Sequence, residues 1–359
     1  MKNNGYALLL KTGDAELRAL ANSTIDNIVF PVIELTRGRK SKNDKIGLIQ
    51  KRVDKLKSIF QNKDICLDLT TSSSLSNEEI DDLYTFASGY EKWIKFLLNI
   101  KNENVFKNII PTILVNTEDS DFEINLKLQV SQLTDNFDSI VYRNSLADDG
   151  CYEDIRLIKD IIVESGKEFY FIVDCEYIAP GAWKSFSEKA KSRIKKIKDI
   201  VPTTKFIIVS TSFPKSVGEI GKEFDDTFQI NEIDLYNDVC KDTKIEDIYY
   251  GDYGSINPIR NDDVIMSNGW RPRIDVALQD KIFYYREKRG NSKYSDIYTV
   301  VANRVIRDKR FPHSLTSSWG IDQIISCSNG NAPGSNPSFW ISVRMNIHIE
   351  QQTRRLKGL

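Results

Sequence analysis

FYFIVDCEY, Phe169–Tyr177, is a run of aromatic and β-branched residues that turns acidic at its C-terminal end, at Asp174 and Glu176. Helix-length amphipathic segments flank it on both sides. A continuous apolar run of this length between helices reads as a buried parallel strand. Carboxylates at the point where such a strand leaves the core occupy the end of the sheet at which α/β proteins carry out their chemistry.

Working outward, seven further runs have the same character: Tyr6–Lys11, Ile28–Glu34, Ile65–Leu69, Ile109–Val115, Ser139–Arg143, Lys205–Ser210 and Ile248–Gly254. Helical pattern separates them. It covers Gly13–Ala21, the basic stretch Ser41–Phe60, and a segment from Ser76 through Trp93 to about Leu98. It continues over Phe122–Leu133, Tyr152–Ser165 with Gly166 as its stop, the strongly basic Ala182–Ile200, and Glu232–Cys240. Ser76 followed by Glu79 has capping-box spacing and predicts a helix start. Strict alternation implies a parallel sheet. Eight units in residues 1–262 predict an α/β fold, a (β/α)8 TIM-type barrel, with an open doubly wound sheet as the competing arrangement. Pro31, inside the second run, requires a bulge or a place at the barrel mouth.

The alternation breaks in residues 263–359, which read as a C-terminal α+β module flanking the barrel. Arg273–Lys288 mixes strand-like alternation with charge, Tyr294–Ile306 is helical, and Trp319–Cys327 reads as a strand. A Gly/Pro/Asn loop then leads into a last helix, Ser338–Leu356.

Composition narrows the function classes. Fifty Lys and Arg against 51 Asp and Glu leave a net charge of −1, so no global basic excess argues for nucleic acid, although a local basic face stays open. The five cysteines (Cys66, Cys151, Cys175, Cys240 and Cys327) are odd in number and none has metal-clip spacing, which predicts a reduced, cytoplasmic protein. The apolar stretch Tyr6–Leu10 is too short for a signal or a membrane span, and no membrane association is expected. His313 and His348 are the only histidines, which disfavours a His-rich zinc site.

The chemistry-bearing candidates are the charges at strand ends: Lys11, Glu34, Asp68, Arg143, Asp174, Glu176 and Asp252. In a barrel these ends face one mouth. Period-two alternation places Asp174 and Glu176 on the same side. The five carboxylates Asp174, Glu176, Asp252, Glu34 and Asp68 are the catalytic candidates. They could hold a divalent cation, Mg²⁺ or Mn²⁺, or act as an acid/base pair. Lys11 and Arg143 suit a phosphate or carboxylate group. Ser210 and Thr211 lie where barrels build phosphate sites, and capping of the next helix is their alternative role. Trp340 and Arg344 belong to an aromatic and basic set with Tyr284, Tyr285, Arg286, Arg289, Trp319 and His348, which suits nucleotide or single-strand stacking or, alternatively, a buried seal on the barrel. The competing reading of the charges is an ion-pair layer that closes the mouth. The lysines of Ala182–Ile200 are expected on a solvated face. Gly251-Asp252-Tyr253-Gly254 permits close backbone approach or a plain turn, and no phosphate-binding fingerprint is found.

Several segments in order carry a resemblance: YALLLKTGDAELRAL with VFPVIEL, then TSFP, EIDLYNDV, YGDYG and NPSFWISVRMNIHIEQ. From Tyr6 to about Gln351 the chain resembles the Beta protein family. The resemblance implies a TIM-type barrel and a role in phage–host conflict, as in anti-phage defence. It brings no reaction, and no catalytic residue is carried over. The family's last motif often has two adjacent histidines where this chain reads Ile347-His348-Ile349, which weakens a histidine-pair metal site. Two functions follow as expectations. One is a hydrolase acting on a phosphate-containing substrate, nucleic acid or nucleotide, at the barrel mouth. The other is a non-catalytic interaction module that binds and regulates a partner effector or toxin encoded nearby.

Overall fold

The computed structural model describes residues 5–42, 44–215, 224–259, 270–315 and 318–359. The boundary expected at 262/263 lies outside the described residues. All eight expected runs contain a strand, the fourth only over its first residues: β1 Tyr6–Lys11, β2 Val29–Leu35, β3 Asp64–Leu69, β4 Asn108–Pro111, β5 Ser139–Ser145, β6 Glu168–Tyr177, β7 Lys205–Thr211 and, after an additional strand β8 (Asp225–Gln229), β9 Ile248–Asp252. They form one parallel sheet in the order β4-β3-β2-β1-β9-β7-β6-β5. No strand order reverses at a switch point, as it would in a doubly wound sheet. The two edges meet where Thr112 bridges Val141 and the Ile113 N–H donates to the Val141 carbonyl at 2.8 Å.

Side chains crossing the interior show how far the sheet has curled. Phe30 on β2 stacks on Tyr170 of β6 at 5.5 Å, although three strands lie between them in the sheet. Inside sit Ala7, Leu9, Val32, Ile172, Val209 and Tyr253, while the alternate residues Tyr6, Leu8, Leu10, Val173 and Tyr250 face the helices. Both faces of the strands are therefore apolar, as expected for a TIM-like barrel. Pro31 lies one residue before the β2–β3 ladder begins at Val32, in an unbroken register with β1.

The helices are α1 Asp14–Ala21, α2 Gln50–Ile59, α3 Glu78–Leu83, α4 Ala87–Asn102, α5 Phe122–Asn136, α6 Cys151–Ser165, α7 Trp183–Ile200 and α8 Asn231–Thr243. Gly166 stops α6 in the left-handed conformation at φ 63°. Two helix starts differ from expectation. The described residues of 41–49 are not helical, because Asp44 accepts the Gly47 and Leu48 N–H groups and the Gly38 N–H donates to the Gly47 carbonyl at 2.7 Å. Such side-chain turns compete with helix formation. The cap of α3 is Asn77, which accepts from the Ile80 N–H at 3.0 Å. Glu79 accepts the Ile49 N–H at 2.8 Å instead of closing a box with Ser76.

The C-terminal elements are the hairpin β10 (Arg273–Ala277) and β11 (Lys281–Arg286), then α9 Tyr294–Arg307, α10 Trp319–Ser328 and α11 Pro337–Lys357. Strand β8, between β7 and β9 in sequence, leaves the barrel and pairs antiparallel with β11. Trp319–Cys327, expected as a strand, is helical: Gly320, Ile321, Ile324 and Cys327 are buried at helical spacing. A short apolar run does not distinguish the two states. Helix α11 packs against α1 and β10, and among the described residues no helix is long and apolar enough to cross a membrane.

Candidate functional site

Inward alternation at the C-terminal ends of β1, β2, β3, β5 and β6 brings Lys11, Glu34, Asp68, Arg143 and Asp174 into one cluster. The Arg143 guanidinium is its centre. One terminal nitrogen reaches Glu34 and Asp68, each at 2.9 Å, and the other reaches Asp174 at 2.8 Å. Arg143 Nε adds a second bond to Asp174 at 2.9 Å. Lys11 pairs with Glu34 at 3.2 Å. Tyr253, which the sequence reading did not single out, projects inside the barrel and donates its hydroxyl to Asp174.

Electrostatics separates the neighbouring carboxylates. Burial pushes Glu34 up, but Lys11 and Arg143 outweigh it and leave the group below its ordinary range. Asp68 is held above the ordinary range because burial and the nearby Glu34 charge outweigh Arg143. Such a split is what an acid/base pair requires. Here, however, both carboxylates accept from the same guanidinium nitrogen, and that nitrogen occupies the place a divalent cation would need. The donor set fits an arginine-centred ion-pair layer, and no step through a metal follows from it.

The other strand-end candidates lie elsewhere. Asp252 shares the outer face of β9 with Tyr250. It is fully buried, accepting from Tyr6 at 2.7 Å, Tyr250 at 3.0 Å and the Gly254 N–H at 2.8 Å, and it lies 2.8 Å from His348 Nε2 on α11. Burial raises its pKa, yet His348 and these donors outweigh burial and the group lies below its ordinary range. Close by, burial pushes Glu232 up to about 7 while its carboxylate accepts the Ser212 hydroxyl. Glu176 also departs from expectation. A register shift between Asp174 and Tyr177, with Glu176 at φ 53°, breaks the alternation and leaves Glu176 exposed.

Ser210 and Thr211 are buried. Thr211 accepts the Phe213 N–H at 3.1 Å, and the neighbouring Ser212 accepts the first N–H of α8 at 2.8 Å. Trp340 is core: it stacks on Tyr298 at 4.9 Å and donates to the Gly334 carbonyl at 3.0 Å. Arg344 is buried against Asp275 at 2.9 Å and lies 3.7 Å from the centre of the Phe213 ring. Tyr284 and His348 are buried too, so these members of the aromatic and basic set form no open stacking platform. On α7, Lys184, Lys189, Lys195 and Lys196 are exposed as expected. Lys191 instead sits among Glu188, Asp238 and Asp242, and Arg193 is buried against Tyr152 and Asp149.

Above Lys11 a cavity of about 530 Å³ opens between the loops after β1, β2, β7 and β9 and the first turns of α11. Its cations are Lys11, Arg37, Arg39, Arg52, Lys215 and Arg344, facing the acids Asp14 and Glu16. Of the ion-pair layer, Lys11 reaches this wall. Arg37 and Arg39 were missed by the strand-end reading because they lie beyond the strand. The signal for them was the basic TRGRK (Thr36–Lys40) directly after β2.

Fold and site together define a TIM-like barrel protein whose inner mouth is closed by ion pairs and whose open cavity beside it is cationic. The chain belongs to the Beta protein family, whose sequence profile matches residues 6–354. It is 27% identical over 365 residues to Protein beta of Enterobacteria phage P4, an alignment covering 100% of this chain and 95% of that protein.

Proposed function

We propose that this Beta-family protein acts in phage–host conflict by holding a phosphate-bearing ligand at the barrel mouth, as a binding protein and not a hydrolase. The observation that carries the reading is the mouth cavity, where Lys11, Arg37, Arg39 and Lys215 converge at the carboxyl ends of the strands. Ligands of this fold are held at that end, and arginine forks match phosphate oxygens. Binding is favoured over hydrolysis because Glu34, Asp68 and Asp174 are all engaged by Arg143. A ligand-holding, non-catalytic barrel also suits regulation of a partner effector. The phage context rests on the family and on the phage relative.

Calorimetric titration with ATP and with pyrophosphate tests the site. Both should bind, and the Arg37→Ala/Arg39→Ala double variant should bind at least about tenfold more weakly with its circular dichroism unchanged. Equal affinity in the variant, or no binding of either ligand, overturns the reading. Phage plating on cells expressing either form tests the context, and wild type and variant should differ. Identical plating, with wild type no different from empty cells, removes the conflict role.

A further inference from the structure

We infer that the ligand is a phosphodiester chain, a single-stranded nucleic acid, whose backbone runs from the mouth cavity into a second cavity between α1 and α2. This inference rests on the phosphate reading above and extends it to a substrate class. The second cavity has a volume of about 540 Å³ and shares the wall residues Asp14, Gly38, Arg39 and Arg52 with the first, so the two adjoin. It adds Arg18, Lys51 and Lys55 to the cationic wall. Lys51 and Lys55 are exposed and one turn apart on α2, which places both ammonium groups on one stripe.

Both acids lining the second cavity are already engaged. Asp14 pairs with Arg52 at 2.5 Å, and Asp44 accepts the Gly47 and Leu48 N–H groups. Burial would raise the Asp14 pKa, but Arg52, Arg39 and Arg18 together hold it below the ordinary range, which reports a positive field at the junction of the two cavities. The whole chain carries a net charge of only −1, so this row of cations is a local feature and not a share of general basicity.

The geometry distinguishes among anions. A mononucleotide needs the cations of one cavity, whereas cations repeated along two adjacent cavities match the repeated charge of a backbone. The loop carrying Arg37 and Arg39 is pinned between them, since the Gly38 N–H bonds the Gly47 carbonyl and a Cβ on Gly38 would sit 2.8 Å from the Leu48 carbonyl oxygen. Apart from Phe213, which lies under Arg344, the apolar wall residues are aliphatic or proline, among them Leu17, Leu48, Leu75 and Ile256. Aromatic side chains that would anchor a peptide or stack bases are therefore few, and recognition is directed to the backbone without reading bases.

Fluorescence anisotropy with labelled dT20 and rU20, competed by ATP and by polyglutamate, tests the inference on the full chain. At least one oligonucleotide should bind tenfold or more tightly than ATP, with log affinity falling against log salt by about 0.7 per phosphate neutralised. K51Q/K55Q, on an exposed helix face, should weaken the oligonucleotide about tenfold and leave ATP affinity unchanged. The relative strengths of dT20 and rU20 distinguish DNA from RNA. If ATP binds but the oligonucleotides bind no tighter, or K51Q/K55Q has no effect, the chain inference fails while the mouth reading stands. Polyglutamate outcompeting both oligonucleotides would assign the groove to an acidic protein and overturn the inference. Binding of nothing at all defeats both readings.

Discussion

Asp174 and Asp252 both lie toward the C-terminal end of a barrel strand and both are buried, yet they are stabilised in different ways. Asp174 points inside, where it meets the Arg143 guanidinium at 2.8 Å and the Tyr253 hydroxyl. Asp252 points outside, where Tyr6, Tyr250, the Gly254 N–H and His348 surround it beneath α11. The inner acid belongs to a layer of three carboxylates around one guanidinium, held by charge. The outer acid is held by His348 together with hydrogen-bond donors, and it ties the last helix to the first and last barrel strands. A single step in strand parity thus separates an ion-pair plug from a polar fastening between layers.

The sharpest way to break the comparison is to remove the charge at its centre. Arg143→Met leaves Glu34, Asp68 and Asp174 without their shared cation and should cost about 3–5 kcal/mol at neutral pH, measured by urea unfolding. Because carboxylates left unpaired can take up protons, that loss should shrink below pH 5. A constant loss across pH would mean that packing, not charge, is what Arg143 provides.

The outer network predicts a pH dependence of its own. Burial holds Glu232 up to about 7, above the 4.5 of an unburied glutamate, so between those values the folded state binds the proton that the unfolded state has released. Stability from this group is therefore present below pH 4.5, falls as pH rises toward 7, and is flat above. Glu232→Gln should flatten that fall and raise stability at pH 7 by about 3 kcal/mol. An unchanged slope in the variant would contradict the assignment.

Smaller effects sharpen the picture. Asp252→Asn keeps the shape but mismatches the donors of Tyr6, Tyr250 and His348, and should cost about 1–3 kcal/mol, again read by urea unfolding. The smallest change is expected at the bulge. Glu176 is exposed at φ 53°, so Glu176→Gly should shift stability by less than about 1 kcal/mol. A large loss there would return Glu176 to the mouth cluster.

The sequence exposed the strands because each is a continuous apolar run, and their charged ends because charge is conspicuous beside such runs. It did not reveal which face of β9 looks inward. Tyr249 and Tyr253 fill the barrel while Tyr250 meets the helices, so both faces are apolar and no alternation marks Asp252 as outer. The bulge at Glu176 was hidden for a related reason, since period two holds only while pairing is regular. Strand β8, DDTFQ, carries two acids and two half-buried residues, too weak a pattern to stand out before its partner β11 is known. The cationic groove was overlooked because Arg37 and Arg39 lie in a loop, where no periodicity draws attention to them, and its helix-borne cations are spread over three helices.

The most direct test of the division between a closing ion-pair layer and a ligand-gripping groove is ATP titration of wild type and Asp174→Asn, with urea midpoints taken on the same samples. The account predicts a lower midpoint for Asp174→Asn and an ATP affinity within about twofold of wild type. An unchanged midpoint with lost ATP binding or lost ATP turnover would contradict it, and would make the inner carboxylates the working site.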